Sequence, residues 1–465
     1  MKTTAQEFFA GLKGRNVSVI GVGVSNNDLI CRFAEAGANV TLCDGRSRDQ
    51  LGEICDRLEQ LGVAMKLGEG YLDELKAADM VVRAPGVYFN KPELVEARKA
   101  GVPVTSEMEL FLELCPCPVY AVTGSDGKTT TTSVIAEMLK AAGYTVHLGG
   151  NIGRALLPIV EKVQPTDRAV VELSSFQLMS ITAAPQVSVI TNITPNHLNV
   201  HGTMEEYTWA KENIFIHQNA FSRTVLSADN DITDSLCPKV RGSLSQFSRR
   251  KAVQRGAYST EEGVLYYNDG KQTLRLMTKE DIKIPGWHNV ENYLAAISAV
   301  WGEVSPETML EVARNFGGVE HRIEFVREVE GVRWYNDSIA TSPTRTIAGL
   351  QCFPNKIIII AGGYDKKIPF EPLAPEIVKH VKCLVLTGPT AEKIRSAVTA
   401  HKDFDPNQLT IVDAADLPDA VAKAKALAVE GDVVSLSPAC ASFDAYPNFE
   451  VRGERFATIA NSLKD

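Results

Sequence analysis

Three successive series of short β-rich runs, each alternating with helical stretches, predict an α/β protein of three domains on mostly parallel sheets. The first hundred residues hold VSVIGVG, ANVTLCD, MVVRAPG and VPVTS, the pattern of a parallel sheet with crossover helices and so of a Rossmann-like N-terminal domain. A second series opens at PVYAVTGSDGKTTTT and continues through RAVVELSSF and VSVITNIT. Each of its runs delivers polar residues at the C-terminal end, where open α/β sheets bind ligands. A third follows the turn-rich stretch from Phe316 to Glu320, with KIIIIAGG, KCLVLTG and DVVSLSP as strands. Boundaries near 106 and 318 follow, giving parts 1–106, 107–318 and 319–465.

Whole-chain quantities agree with that organisation. At 465 residues the chain is well beyond the roughly 250–300 at which one hydrophobic core stops growing. Hydrophobic residues at 45% and charged residues at 23% are ordinary globular usage, and no run approaches the roughly 20 apolar residues of a membrane span. A soluble protein without a membrane partner is expected. The opening MKTTAQEFFAGLKGRN lacks an apolar core followed by a small-residue cleavage site, so the cytoplasm is the expected compartment. Nine cysteines lie scattered without a CxxC pair, an odd number that suits reduced thiols. Cys115 and Cys117, around Pro116, read as buried or linker thiols. A formal charge of −9 disfavours the broad basic footprint of a nucleic-acid binder, so an anionic ligand needs local basic pockets. No short-period repeat is present, which excludes a solenoid.

The strongest local signal is TGSDGKTT, residues 123 to 130, between a strand-like run and the helical stretch SVIAEMLKAAG. In that context Gly124 and Gly127 let the backbone close around phosphate, amide N–H groups at the helix start face the anion, and Lys128 adds a point charge. Ser125, Asp126 and Thr130 complete the loop, and Thr129 would reach the nucleotide's magnesium. The full phosphate-loop pattern has a further glycine where this chain has Val122, so the match is to a shorter version. A glycine-rich turn is the alternative.

Other positions carry weaker signals. GVGVSNND, residues 21 to 28, starts like a dinucleotide fingerprint, but Asn26 stands in place of the third glycine. Asp44 and Arg46, after the next strand, are either a nucleotide-contacting pair or an ordinary solvated strand end. Glu172 in VELSSFQL and His197 in NITPNHLNVHG follow two strands and converge on one sheet edge. A phosphate-loop enzyme holds its magnesium there, and capping or core-satisfying groups are the alternative. Lys211 in EEYTWAKENIFIHQ reads as a solvated helix-face lysine. His288, Asn289 and Asn292 open a helix in HNVENYLAA, where amide side chains cap it or bond a base edge. Arg322 in EHRIEF and Asp337 in YNDSIATSPT either complete a phosphate site from another domain or form a surface ion pair.

In order and spacing, TGSDGKTT, GGNIG (149 to 153), ELSSFQL, NITPNHLNVHGT, HNVENY, EHRIEF, NDSIATSPT, GGYDKK and LSPACASFDAYPNFEVRGERF resemble the Mur ligases. The resemblance runs from about Val17 to Phe456, and ELSSFQL with LSPACASFD is far more specific than the phosphate loop alone. It implies a Rossmann-like N-terminal domain for a uridine nucleotide, a central phosphate-loop ATPase domain with a mostly parallel sheet, and a C-terminal Rossmann-like domain that binds the amino acid and closes. The implied activity is ATP-dependent ligation of D-glutamate to UDP-N-acetylmuramoyl-L-alanine by a monomer. That is a step of peptidoglycan precursor synthesis, serving cell wall biogenesis, cell shape and cell division.

By that resemblance Ser25, Asp44 and Arg46 hold the uridine diphosphate end, and Asn151, Ser174 and Gln177 line the muramoyl-alanine channel. Lys128, Thr129, Glu172 and His197 serve ATP and two magnesium ions. Lys211 matches the family's carbamylated lysine, in which carbon dioxide converts a cation into an oxygen ligand. His288, Asn289 and Asn292 face the adenine, Arg322 and Asp337 reach ATP from the third domain, and Thr341, Lys366, Ser442 and Phe449 line the glutamate pocket.

The implied chemistry transfers the γ-phosphoryl to a carboxylate, giving an acyl phosphate that the glutamate amine then attacks. Four positions depart from the family pattern. Asp126 stands where Asn or a small polar residue is usual, Asn196 and Asn199 replace aspartates beside His197, and Ile339 replaces a lysine common in members that add D-glutamate. L-Glutamate or another amino acid is therefore the nearest alternative substrate. A folylpolyglutamate synthase lacks an equivalent of the first hundred residues, an NAD-dependent dehydrogenase needs the third glycine, and a regulatory ATP-binding protein has no use for Glu172, His197 and Lys211 together.

Overall fold

A computed structural model describes residues 3–196, 198–366 and 368–464, without the side chains of Val24, Ser25, Leu198 and Asn199. The chain forms two compact units, one of Met1–Asp281 with Val290–Arg314 and one of Ile282–Asn289 with Asn315–Asp465.

The first unit holds two sheets. Strands β1 (Asn16–Ile20), β2 (Asn39–Asp44), β3 (Ala64–Leu67), β4 (Met80–Arg83) and β5 (Val104–Thr105) form a five-stranded parallel sheet ordered β3-β2-β1-β4-β5. The helix Glu107–Leu114 then leads into the second sheet. Its Glu107 is buried and accepts the N–H groups of Leu156 (2.9 Å) and Leu157 (2.8 Å), which ties the connecting helix to the second sheet's flank. One apolar cluster continues from Phe9, Val19 and Phe33 through Phe111 to Val171 and Phe215, so both sheets share a core.

The second sheet has nine strands: β6 (Val119–Thr123), β7 (Val146–Gly150), β8 (Arg168–Glu172), β9 (Val187–Ile190), β10 (Arg223–Ser227), β11 (Ser243–Ser248), β12 (Gly256–Ser259), β13 (Val264–Asn268) and β14 (Thr273–Thr278). Their order is β14-β13-β12-β11-β10-β9-β6-β8-β7, parallel from β7 to β12 and antiparallel over β13 and β14. The central strand β6 is buried along its whole length, as VYAVT requires between two helical layers. The antiparallel extension is absent from the sequence reading. Its strands are short and alternate, and the turn at Asp269–Gly270 joins them.

The second unit carries β15 (Glu324–Val329), β16 (Val332–Asn336), β17 (Ile357–Ala361), β18 (Val381–Leu386), β19 (Thr410–Asp413) and β20 (Val433–Leu436), ordered β15-β16-β20-β17-β18-β19. Only the edge strand β15 runs antiparallel. Apolar clusters cover both faces, one around Ile359 and Leu384 and the other around Trp334, Ile358 and Phe456, which is why IIIIA reads as an unbroken apolar run. The described cysteines are all free thiols, and Cys115 and Cys117 are buried with their sulfurs 3.5 Å apart. Among the described residues no helix is long and apolar enough to cross a membrane.

Candidate active site

The chain leaves β6 at Thr123 and enters the helix Lys128–Ala141 through a loop that only small residues can follow. Gly124 has φ 153°, and a Cβ there would stand 1.8 Å from Thr191 Oγ1; at Gly127, φ 78°, it would stand 2.4 Å from Asn292 Oδ1. Both glycines answer a close approach as well as a backbone angle. Neighbours pin the loop: Ser125 N–H donates to Asn192 O (2.9 Å), Asp126 N–H to Asn192 Oδ1 (3.0 Å), and Ser125 Oγ lies 3.0 Å from Tyr207 Oη. The Asp126 side chain is on the exposed side.

Three of the four expected catalytic residues, Lys128, Glu172 and Lys211, lie around this loop. Thr129 Oγ1 donates to Glu172 Oε2 (2.7 Å) and Asn151 Nδ2 to Glu172 Oε1 (2.9 Å), so the carboxylate at the end of β8 faces the start of the helix. Lys128 Nζ folds back to donate to Gly124 O (3.0 Å) and Ser125 O (2.9 Å). Lys211, in the helix Met204–Glu212, is 1% exposed, which overturns its reading as a solvated helix-face lysine. Its Nζ donates to Gly124 O (2.7 Å) and Thr123 Oγ1 (3.3 Å), and lies 4.7 Å from the Tyr207 ring centre. Burial, with repulsion from Lys128, pushes the Lys211 amine well below its ordinary range, toward the neutral form. Thr130 is buried one residue further along the helix. His197 lies outside the described residues, Asn196 is exposed, and the Asn199 side chain is outside the description.

Asp44 is buried rather than solvated: it accepts Val22 N–H (3.0 Å) and a two-point contact from Arg46, whose Nη2 also donates to Val22 O (2.9 Å). Burial pushes this carboxyl up, but the hydrogen bonds from Arg46 and Val22 outweigh it and hold the group below its ordinary value. Asn26, where a third glycine would stand, is 1% exposed and donates to Ile20 O (3.2 Å) and Gly21 O (2.9 Å), closing the turn that glycines leave open. Ser25 lies in the helix Val24–Glu35 with its side chain outside the description. Ser174 and Gln177 form a capping box on the short helix Ser175–Leu178, immediately after Glu172 and Leu173. Asn292 sits against Gly127 and accepts from Thr131 Oγ1 (3.2 Å).

In the second unit Asp337 follows β16 and is 4% exposed, which overturns a surface ion pair. Ser437 Oγ donates to it (2.8 Å), and burial pushes its carboxyl up to about 7 although Ser437 and Arg322 act in the opposite direction. Arg322 is held between two residues in the left-handed region, His321 (φ 62°) and Ile323 (φ 46°). Such strain persists only where surroundings fix it, and Asn336 Nδ2 meets His321 Nδ1 at 2.9 Å. Lys366 Nζ donates to Thr341 Oγ1 (3.2 Å), Ser442 is buried, and Phe449 opens the helix Phe449–Asn461 with its carbonyl accepting from Ser338 Oγ (2.8 Å). His288 Nε2 lies 3.7 Å from Cys352 Sγ, and Asn289 Nδ2 donates to Pro285 O (2.6 Å). Arg345 Nη1 donates to the carbonyl of Ile339 (3.1 Å).

Several contributors escaped the sequence reading. Tyr207 stands four residues before Lys211 on one helix face, a spacing that could have flagged it. Thr191 and Asn192 follow β9, and although Asn192 opens NITPNHLNVHGT, the sequence reading singles out neither as a contact to the loop. Arg452 is 4% exposed and donates to Ser338 Oγ (3.0 Å), Ser338 O (2.9 Å), Cys440 O (3.1 Å) and Ala441 O (3.1 Å), stitching the loops after β16 and β20. Nothing local in VRGERF announces that burial.

Comparison with known proteins extends this picture to the full chain. Residues 15–106 match the Mur ligase MurD-like N-terminal domain, residues 122–300 the Mur ligase middle domain, and residues 321–440 the Mur ligase glutamate ligase domain. The chain is 48% identical over 466 residues to the UDP-N-acetylmuramoylalanine–D-glutamate ligase of Acetivibrio thermocellus, and 46% identical over 469 residues to that of Clostridium acetobutylicum, with 100% of each chain covered. Among solved structures, the UDP-N-acetylmuramate-alanine ligase of Thermotoga maritima has the same fold, with a TM-score of 0.57 at 20% identity over 97% of this chain and 100% of that one. With near-half identity from end to end and a match in each of its three parts, the chain belongs to the Mur ligase family.

Proposed function

We propose that the chain uses ATP to join D-glutamate to UDP-N-acetylmuramoyl-L-alanine, releasing ADP and phosphate, as a cytoplasmic monomer in peptidoglycan precursor synthesis. The observation that carries the reading is the junction of Thr129, Glu172 and Lys211 around Gly124, in a chain whose end-to-end relatives are named for this reaction.

A carboxylate is a poor electrophile. Transfer of the γ-phosphoryl of ATP to the alanyl carboxylate forms a carboxyl O–P bond, breaks the bond to ADP and turns the carboxyl oxygen into a leaving group. Attack by the glutamate amine then forms the C–N bond, phosphate departs with the C–O electron pair, and the amine gives up a proton. Lys128 and the helix start face the anionic phosphates, where fixed donors stabilise charge without reorganising. Thr129 and Glu172 offer hydroxyl and carboxylate oxygen, a donor set that suits magnesium. When bound there, magnesium neutralises charge on the phosphoryl group in transit. Lys211 suits carbamylation, because carbon dioxide adds to a neutral amine and burial holds this one toward neutrality.

In this reading residues 1–106 bind the uridine nucleotide through Ser25, Asp44 and Arg46, with Asn151, Ser174 and Gln177 along the muramoyl-alanine channel. Residues 107–318 bind ATP through the loop 124–130 with Lys211, His197, His288, Asn289 and Asn292. Residues 319–465 supply Arg322 and Asp337 to ATP, and Thr341, Lys366, Ser442 and Phe449 to the amino acid.

The test is phosphate release from ATP with UDP-N-acetylmuramoyl-L-alanine and magnesium, comparing D-glutamate, L-glutamate and no amino acid, with the product's mass checked. Release that depends on D-glutamate, with one glutamyl unit added, is expected. Dependence on L-glutamate keeps the ligase and moves the substrate assignment. No release with either sinks the reading.

A further inference from the structure

Arg83 ends β4 and is 1% exposed, a costly place for a permanent charge. Burial pushes its guanidinium down to about 10, so it stays cationic near neutral pH. It donates to five neutral oxygens on two separate stretches of the first unit. Three belong to its own loop: Ala84 O (3.3 Å), Pro85 O (3.2 Å) and Val87 O (2.6 Å). The other two, Phe176 O (2.9 Å) and Ser180 Oγ (3.1 Å), lie in and just after the short helix that Ser174 and Gln177 cap.

Both stretches lead to a different end of the substrate site proposed above. Ala84 N–H donates to Ile20 O (3.0 Å), the same carbonyl that Asn26 reaches at 3.2 Å, so the loop after β4 is seated on the β1 turn beside Asp44 and Arg46. Opposite, Ser174 and Gln177 come two and five residues after Glu172 in the chain. The next ring along, Tyr88, donates to Glu206 Oε1 (2.7 Å) on the helix that carries Lys211. A planar fork can hold two backbones at once, where an ammonium on a flexible stem cannot fix both directions.

We propose that Arg83 is a positioning residue that sets the span between the uridine end and the muramoyl end of the UDP-sugar site, so that the substrate binds as one two-ended ligand. The inference rests on the reading of that site given under Proposed function. A ligand held at both ends gains from the second contact only while the span between its subsites is fixed.

The experiment is titration calorimetry of the full chain with UDP alone and with UDP-N-acetylmuramoyl-L-alanine, for the parent, Arg83→Met and Arg83→Lys, with thermal melts confirming folding. UDP affinity should hold within about twofold while affinity for the whole substrate falls about tenfold or more in Arg83→Met and less in Arg83→Lys. KM for the UDP substrate should rise with it, leaving KM for ATP and for D-glutamate in place. An equal loss for UDP and the whole substrate, or no loss for either, overturns the proposal. If Arg83→Met does not fold, Arg83→Lys carries the same comparison. Failure of the parent itself to bind the UDP substrate would instead refute the site reading on which the inference stands.

Discussion

The loop after β6 and the loop after β16 each meet one buried ionisable side chain, Lys211 and Asp337, whose hydrogen-bond partners are neutral, and they do it from opposite kinds of sequence. At β6 the groups of the proposed phosphate loop are consecutive, Thr123 to Thr130, and Lys211 arrives from a single helix to donate to Gly124 O. At β16 the surroundings of Asp337 come from separated stretches: Ser437 donates to the carboxylate, Arg452 stitches Ser338 to residues 440 and 441, and the strained pair His321 and Ile323 aims Arg322. Lys211 and Asp337 are both pushed toward their neutral forms by burial, one downward and one upward. The comparison teaches that burial, more than residue type, prepares a group to respond when a charged ligand arrives.

The largest expected effect is at the contiguous loop. Lys128→Ala should slow ligation by about 10³-fold, whereas Asp337→Ala should cost about 10²-fold, both read as ADP formation under saturating substrates. A reversed order would mean that the dispersed cluster, and not the loop, carries most of the phosphate stabilisation. Gly124→Ala should come next, because its Cβ would land on Thr191 Oγ1: ATP binding should be lost in calorimetry and stability should fall by about 2–4 kcal/mol in urea unfolding. Preserved ATP binding would show that the loop can shift as a body.

A pH series separates the two buried groups. Asp337 keeps its proton in the folded chain up to about 7, while an unfolded carboxyl loses it near 3.8. The folded state therefore binds the extra proton in between, and this group's stabilisation, complete below about pH 4, declines as pH rises through 7. Asp337→Asn should flatten that decline by about 2 kcal/mol or more between pH 4 and pH 8 in urea unfolding. Lys211 has the opposite sign: its depressed folded value means the unfolded chain binds more protons below the ordinary lysine range, so its contribution rises with pH there. Lys211→Met should remove that slope, and an unchanged curve would mean the amine is charged or already modified. The smallest effect expected is at Thr341, whose hydroxyl accepts from Lys366. Thr341→Val should raise KM for D-glutamate about threefold with kcat held, and a change in KM for ATP instead would move Thr341 out of the amino-acid pocket.

Legibility followed the range of the interaction. TGSDGKTT announced a strand–loop–helix turn because strand, turn and helix start are neighbours in the chain, and the placing of Glu172 at a strand end followed because that position is itself local. Lys211 read locally as a solvated lysine, and for Asp337 a surface ion pair stood level with a phosphate site; the burial of both shows why the surface readings fail. Lys211 sits in a polar helix and Asp337 in a polar loop, so only contacts from β6 and from Ser437 reveal the environment. The β13–β14 hairpin escaped because short alternating strands compete with ordinary turn composition, while parallel strands buried on both faces show as unbroken apolar runs.

The amino-acid sequence by itself determined the α/β class, the three series of strands, the glycine turn between β6 and its helix and the motifs that mark the family, since each depends on residues within a few positions of one another. Tertiary structure alone decided which charges are buried, that Asn26 closes the turn after β1, and that Arg83 and Arg452 tie distant loops together. The burials and the arginine ties depend on dielectric and on partners far along the chain, and the Asn26 turn depends on a backbone path that brings its amide onto Ile20 and Gly21; a side chain carries no local mark of these.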